Sequence, residues 1–454
     1  MPDFESLYTA AEMRAAEAGH DVRELMEHAG ALAAEAASQE MHGASRWTVV
    51  CGGGANGGDG RIAASQLEAK GKQVRIVDAK AGETGLGDPE VIVDALFGTG
   101  FVGEPRREAA ALIEAINAHP ARVVSIDIPS GVDASTGEVP GTAVRADATV
   151  TFHGRKVGVV VAPGRFHAGR VHVADIGLDP GPTRHRLALP DLLRSVPRRR
   201  EGGTKYTSGH VVVVGGSPGM TGAPSLSAAA AMRADAGYVT VAARESVLPV
   251  LEQRLVEAVK RPLPDGLGDE AADAVLELAA KAGAVALGPG LGRDGGARTL
   301  VRRLLAELDL PVVVDADALY ELEPADWPAP RVLTPHEGEL GRLLGTTVAP
   351  HRLACVQAAA DRFRCVILLK GADTLVAAPG CGVLVAASGL PSLATAGTGD
   401  VLTGIVGTFL AKGLEPQLAA VAAALAQQRA SVEAPQRAGL VASDLVDALP
   451  RALR

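Results

Sequence analysis

The sequence predicts an α/β protein of two domains joined near residue 200. Three observations point there. Short β-branched runs alternate with helical patterns from Trp47 onward, and such alternation implies βαβ units and a mainly parallel sheet. The alternation breaks over Leu178–Ser208, a stretch rich in Pro, Gly and Arg that reads as a linker, and resumes with "HVVVVGG". A chain of 454 residues also suits two or three domains of about 100–200 residues each. The expected domains are 1–195 and 200–454.

The elements follow in order. "MPDFESLYTAAEMRAAEAG" is expected as an amphipathic helix and not a signal peptide, because acids stand where basic and then apolar residues are needed. Strands are expected at "WTVVC", "QVRIV", "VIVDALF", "RVVSIDI" and "DATVTF". Helices are expected at "RIAASQLEAKG" and "REAAALIEAINAH", which carry helical periodicity. The second series has strands at "HVVVVGG", "YVTVAA", "AVALGPG", "PVVVDAD", "RVLTPHE" and "CVILLKG", and Ala-rich helices close the chain.

Composition narrows the function. Glycine is high at 54 residues and aromatics are only 3%, as in α/β proteins with Gly-based ligand loops. A formal net charge of −9 argues against nucleic acid or an anionic membrane as partner. The basic "RSVPRRR" is read as a solvated linker. Cys51, Cys355, Cys365 and Cys381 form no CxxC and no metal spacing. Cys51 and Cys365 lie in apolar strand-like runs and are expected as small buried hydrophobes. This usage fits a reducing cytoplasm. No apolar run reaches transmembrane length.

"GGGANGGDG" lies between a strand and a helix, where backbone N–H groups can cradle an anion. It lacks the GK[ST] of a Walker loop. Alone it could be an ordinary Gly-rich turn. Further strand ends add to it: Asp94 before "FGTGFVGEPR", Asp127 before "IPSG" and Lys156 in "TFHGRKVG". Asn56, Asp94 and Ser130 are oxygen donors at adjacent strand ends, a set that suits a hard cation. Asp127 is a candidate acid–base group. The plain alternative is that these Asp residues cap helices or turns.

The second loop, Gly397–Asp400, opens an apolar helix. Its N–H groups can form an anion hole with Asp400 inside it, as phosphoryl transfer to a hydroxyl requires. "LLKGADT" puts Lys370 and Gly371 at a strand end within reach of nucleotide phosphate. His336, in "LTPHEGEL", is read as functional within this set, although alone it would more often be a capping residue.

These motifs resemble the bifunctional NAD(P)H-hydrate repair enzymes. "LMEHAG", "GANGGDG", "DALFGTGFVG" and "DIPSG" occur in order across residues 1–190, like that family's epimerase domain. "VVVVGGSPGMTGAP", "ALGPGLG", "LTPHEGEL", "LLKGADT" and "ATAGTGDVLTG" resemble its ADP-dependent dehydratase domain over residues 200–454. The resemblance implies a Rossmann-like α/β/α sandwich followed by a ribokinase-like α/β domain. It implies epimerisation of the R and S hydrates of NADH and NADPH, then dehydration of the S form with ADP, giving NAD(P)H, AMP and phosphate. Potassium would be held by Asn56, Asp94 and Ser130. The epimerase substrate loops would be Ala55, Asn56, Gly57, Gly58 and Asp59, with Gly98, Thr99, Gly100, Phe101, Val102, Gly103 and Glu104. Asp127 would contact that substrate and act as acid–base catalyst. Ala223, Gly290, Gly292, His336 and Asp400 would contact hydrate in the dehydratase, with Asp400 as base. Lys370, Gly371, Ala372, Asp373 and Thr374, with Ala396, Gly397, Thr398 and Gly399, would contact ADP, and Mg²⁺ is expected with its phosphates. The partners implied are the hydrates and ADP, in a cytoplasmic homo-oligomer without nucleic acid or membrane. Ala55 and His28 stand where the family has Asn, and Thr204 where it has His. Weaker or altered substrate binding is expected from Ala55.

Two rivals remain at this stage. One is a small-molecule kinase fused to a ligand-binding domain. The other is a non-catalytic binding module in place of the epimerase.

Overall fold

The computed structural model describes residues 3–387, 389–436 and 438–454. It divides into two compact units, Ser6–Arg186 and Leu187–Arg454, the latter with the N-terminal residues up to Glu5.

The first unit has six parallel strands in the spatial order Gln73–Asp78, Arg46–Cys51, Val91–Ala95, Arg122–Ile126, Ala148–Phe152 and Arg170–Ala174. Alternation along each strand decides the packing, since successive side chains face opposite sides. Trp47, Val49, Cys51, Val91 and Val93 face the helices Val22–Glu40 and Ala55–Ala69. Val50, Ile92 and Val123 face Leu112, Ile113 and Ile116 of the helix Arg107–Ala118. The result is an α/β/α sandwich.

The second unit's sheet runs Val259–Leu263, Tyr238–Arg244, His210–Val214, Ala284–Leu287, Val312–Val314, Arg331–Leu333, Val366–Leu369, Thr374–Ala377 and Leu384–Ala386. It is parallel up to Val366–Leu369, and the next two pairings are antiparallel. Val211 and Val213 pack against the helices Gly222–Arg233 and Thr398–Ala411, and the Ala-rich helices Pro416–Glu433 and Ala442–Ala452 complete that core. Gly404 is required there: a Cβ would stand 2.1 Å from the Ser227 carbonyl oxygen.

Two expectations are corrected. The N-terminal stretch is not one helix: Phe4–Tyr8 is a strand and Ala10–Glu17 a helix, while Met1 and Pro2 lie outside the described residues. Leu7 and Tyr8 pair with Arg155 and Lys156 and are buried, so sheet pairing outweighed local helical preference. Thr9 then starts the helix through a reciprocal capping box with Glu12, a device worth about 1 kcal/mol. The stretch read as a linker is partly structured, with a strand at His185–Ala188 and a 3₁₀ turn at Pro190–Ser195 whose Leu192 and Leu193 join the second unit's core. The arginines of "RSVPRRR" are exposed, as read, although Arg199 pairs with Asp235 at 2.6 Å and Arg198 donates to the Leu453 carbonyl. Cys51 and Cys365 are buried, as their apolar runs imply.

Candidate active sites

In the first unit, strand order reverses between Arg46–Cys51 and Val91–Ala95, and open α/β sheets bind ligands beyond the carboxyl ends at such a point. A cavity of about 1170 Å³ lies there, walled by Ala55, Asn56, Asp59, Gly98–Val102, Glu104, Asp127 and Lys156. Met13, Glu17 and Met26 from the first two helices also line it, a wall that the motifs alone did not announce. Gly57, Gly58 and Gly103 do not line the cavity. Gly57 instead packs under the loop, where a Cβ would stand 2.0 Å from the Gly52 carbonyl oxygen. His28 is exposed and outside the lining, so only Ala55, of the two departures there, borders the cavity.

The three candidate cation ligands come together through Phe97. Asn56 Nδ2 donates to the Phe97 carbonyl at 2.8 Å, and Phe97 N donates to Ser130 Oγ at 2.9 Å. Ser130 Oγ in turn donates to Asp94 Oδ1 at 2.6 Å. Asp94 is fully buried, and burial pushes its carboxyl above the usual range, against hydrogen bonds from Ser130, Ser125 and Leu96. No ion pair among the described residues reaches Asp94, and Asn56 Oδ1 is buried without a partner. A buried carboxylate, an unpartnered amide oxygen and a hydroxyl suit a hard cation, since buried polar atoms normally find partners.

Asp127 has φ +70°, a left-handed conformation uncommon outside glycine. Its Oδ1 pairs with Lys156 Nζ at 2.7 Å, and Oδ2 accepts from Thr99 N at 3.1 Å. Lys156 is buried, and it also donates to Thr151 Oγ1 at 2.9 Å and the Phe152 carbonyl at 2.8 Å. Asp127 therefore does more than fasten a turn: it faces the cavity and neutralises a buried lysine.

In the second unit the order reverses between His210–Val214 and Ala284–Leu287. The loops after both strands meet there: a Cβ on Gly290 would lie 3.3 Å from Ala223 Cβ. Gly292 N donates to Asp317 Oδ2 at 3.0 Å. The helix Thr398–Ala411 starts at Gly397, whose φ is 87°. Lys370 Nζ lies 3.3 Å from the position of a Cβ on Gly399, so its ammonium stands at that helix N-terminus.

Lys370 pairs with Asp315 at 2.8 Å, and Asp315 is held from its other oxygen by Thr403 Oγ1 at 2.7 Å. Glu339 Oε2 is 3.9 Å from Lys370 Nζ. Sequence reasoning singled out none of Asp315, Thr403 and Glu339. The signal was available for Asp315, which follows the strand Val312–Val314 as Asp127 follows its own. Burial first, then the charges of Asp315 and Asp317, push Asp400 up to about 7, with Lys370 opposing.

His336 is an N-cap: its Nδ1 accepts from Gly338 N at 3.0 Å, and Glu339 reaches back to His336 N at 2.9 Å. The capping alternative is thus realised, and Nε2 of this half-exposed ring stands 3.5 Å from Glu339 Oε1. Asp373 is buried and paired with Arg352 at 2.7 Å, and Thr374 begins a buried strand. Their side chains serve the loop's architecture. Thr204 makes a local turn with Thr207.

Comparison with known proteins adds the following. A family model described as NAD(P)H-hydrate dehydratase matches residues 211–451, and one described as YjeF-related protein N-terminus matches residues 22–84 and 77–158. The bifunctional NAD(P)H-hydrate repair enzyme of Moorella thermoacetica is 39% identical, over 95% of this chain and 92% of that protein. Its counterpart in Escherichia coli is 34% identical, over 95% and 90%. Among solved structures, the ADP/ATP-dependent NAD(P)H-hydrate dehydratase of Bacillus subtilis, co-crystallised with ATP and Mg²⁺, aligns with a TM-score of 0.51 at 29% identity. That match covers 57% of this chain and 94% of the other.

Proposed function

The chain belongs to the family of bifunctional NAD(P)H-hydrate repair enzymes, and we propose that its two units divide the repair of hydrated NADH and NADPH between them. The first interconverts the R and S hydrates. The second dehydrates the S form at the expense of ADP, yielding NAD(P)H, AMP and phosphate. The observation that carries this division is that each unit holds an acid and a lysine beside its own Gly-rich helix start: Asp127 with Lys156, and Asp400 with Lys370.

In the second unit, Asp400 takes the proton of the C6 hydroxyl as its oxygen attacks the terminal phosphorus of ADP. A carboxyl near 7 suits a base at neutral pH. Lys370 and the N–H groups at Thr398 and Gly399 face the charge on the transferred group. Phosphorylation turns a poor leaving group into a good one, and loss of phosphate with a C5 proton restores the dihydronicotinamide. The backbone of Lys370, Gly371 and Ala372, with Ala396–Gly399, holds ADP. Ala223, Gly290, Gly292 and His336 contact the hydrate. Mg²⁺ would arrive on the nucleotide phosphates, as it commonly does.

In the first unit, Asp127 contacts the hydrate and exchanges its hydroxyl proton. Asn56, Asp94 and Ser130 would hold potassium, which would supply a positive charge to offset the buried Asp94 carboxylate.

No helix among the described residues is long and apolar enough to cross a membrane. Four free cysteines support a reducing, cytoplasmic location, and the working assembly is proposed as a homo-oligomer, which light scattering after gel filtration would test. The decisive assay incubates the chain with mixed hydrate epimers, with and without ADP. Restored dihydronicotinamide absorbance plus free phosphate supports the proposal. A stable phosphorylated product would instead mark a small-molecule kinase, and failure to interconvert epimers would mark the first unit as a binding module.

A further inference from the structure

The cavity of the first unit contains a buried acid, Asp59, whose surroundings differ from those of Asp127. Asp59 is the fifth residue of the helix Ala55–Ala69 and lines the cavity. It is only 8% exposed, and its Oδ1 has no hydrogen-bond partner.

Lys156 and Arg61 are both committed elsewhere. The three ammonium protons of Lys156, on the short strand Arg155–Lys156, go to Asp127, Thr151 and Phe152. Arg61, two residues further along the same helix, donates to Asp78 and to the Gly52 and Gly57 carbonyls. The remaining charges facing Asp59 are negative: Asp127 at the end of Arg122–Ile126, and Glu17 at the end of Ala10–Glu17. From the helix Val22–Glu40, Gly30 approaches the Asp59 backbone so closely that a Cβ would stand 2.8 Å from its carbonyl oxygen. Burial, then the charges of Asp127 and Glu17, push the Asp59 carboxyl up to about 8. Of the acids that line this cavity, Asp127 is tied to a lysine and Asp59, without such a partner, retains its own proton. Such divergence separates an acid from a base.

We propose that Asp59 is the proton donor of epimerisation, working against Asp127 as the acceptor. The proposal rests on the epimerase reading of this unit. C6 of the hydrate carries a hydroxyl and is bonded to the ring nitrogen N1. Asp127 takes the hydroxyl proton, and the oxygen's electrons form C6=O. The C6–N1 bond breaks with its pair going to N1, and N1 takes the proton of Asp59. The product is a ring-opened aldehyde of the same composition. Rotation about C5–C6 presents the other carbonyl face to N1. Ring closure returns one proton to Asp59 and moves the other from Asp127 to the oxygen. No outside reactant is consumed.

The test uses the full chain, pure R hydrate, no ADP and fixed potassium chloride. Asp59→Asn keeps the shape and removes the proton; it should lower epimerisation by ~10²-fold or more, while Asp59→Glu should retain part of the rate. Wild-type epimerisation should fall as pH rises through about 8, because the donor is then ionised, and this limb should be missing from the residual activity of Asp59→Asn. Infrared difference spectra at neutral pH give a second readout that does not depend on turnover: wild type should show a protonated-carboxyl C=O band that Asp59→Asn lacks. An Asp59→Asn protein within threefold of wild type, or unchanged infrared bands, would overturn the proposal. A wild-type chain that leaves the epimers unmixed would remove the epimerase reading as well, so the two failures are distinguishable.

Discussion

The two units solve a similar electrostatic problem in opposite ways. Both place a lysine at the carboxyl end of a parallel sheet, beside a glycine-rich helix start. In the first, buried Lys156 is matched to Asp127, the acid facing the cavity. In the second, Lys370 is matched to Asp315, a buried acid fixed by Thr403, and Asp400 is left outside the pair. The consequence is chemical. The first site ties its buried lysine to the acid that faces the cavity. The second presents an ammonium at a helix N-terminus, where the anion of a transferred phosphoryl group would sit, and an acid raised to about 7.

If this contrast is right, the two activities should be separable, most sharply at Asp400. Asp400→Asn should cut dehydration by ~10²–10⁴-fold and leave epimerisation unchanged. Phosphate release measured beside epimer ratios checks both, and a variant retaining a tenth of the dehydration rate would not have lost its base.

The mirror test is Asp127→Asn, expected to cut epimerisation by ~10²-fold while dehydration of pure S hydrate persists. Melting temperature does not separate a catalytic from a structural Asp127, because losing the charge strands Lys156. Breaking a buried pair costs about 3–5 kcal/mol, so the melt should drop as well. The separating measurement is Asp127→Asn combined with Lys156→Met: stability should recover and epimerisation should not.

The next effect is a loss of dehydration on the acid side. Asp400 must be ionised to accept a proton, so the dehydration rate should fall as pH drops below about 7, tending to about tenfold per unit. Asp315→Asn removes a charge that raises Asp400 and should move this limb to lower pH. A limb that stays put would break the link between the pair and the base.

The smallest effect expected is that of the monovalent ion. Replacing potassium chloride by choline chloride at constant ionic strength should slow epimerisation severalfold and leave dehydration untouched when Mg²⁺ is fixed. Equal epimerase rates in both salts would sink the role given to Asn56, Asp94 and Ser130.

Much of this molecule was legible in the sequence, because its signals are local. Runs such as "HVVVV" and "WTVVC" are short, β-branched and bounded by glycine, so strand and turn follow from backbone sterics alone. The same locality made Gly397–Asp400 readable as a helix start and placed Asp94, Asp127 and Ser130 at strand ends. Family resemblance in ordered motifs supplied the chemistry that spacing could not. What stayed illegible was long-range. Phe4–Tyr8 carries no strong strand pattern and became one by pairing with Arg155–Lys156. Leu192 and Leu193 looked like part of a Pro- and Arg-rich linker until a core was there to receive them. The partner of each lysine was equally hidden, since Asp127 and Lys156 are 29 positions apart and Asp315 and Lys370 are 55 apart. Sequence alone determined the elements and the acids at their ends, because backbone propensity and alternation act between neighbours. Only the tertiary structure decided which acid is neutralised and which keeps its proton, because desolvation and Coulomb energy depend on what the fold brings within a few ångströms.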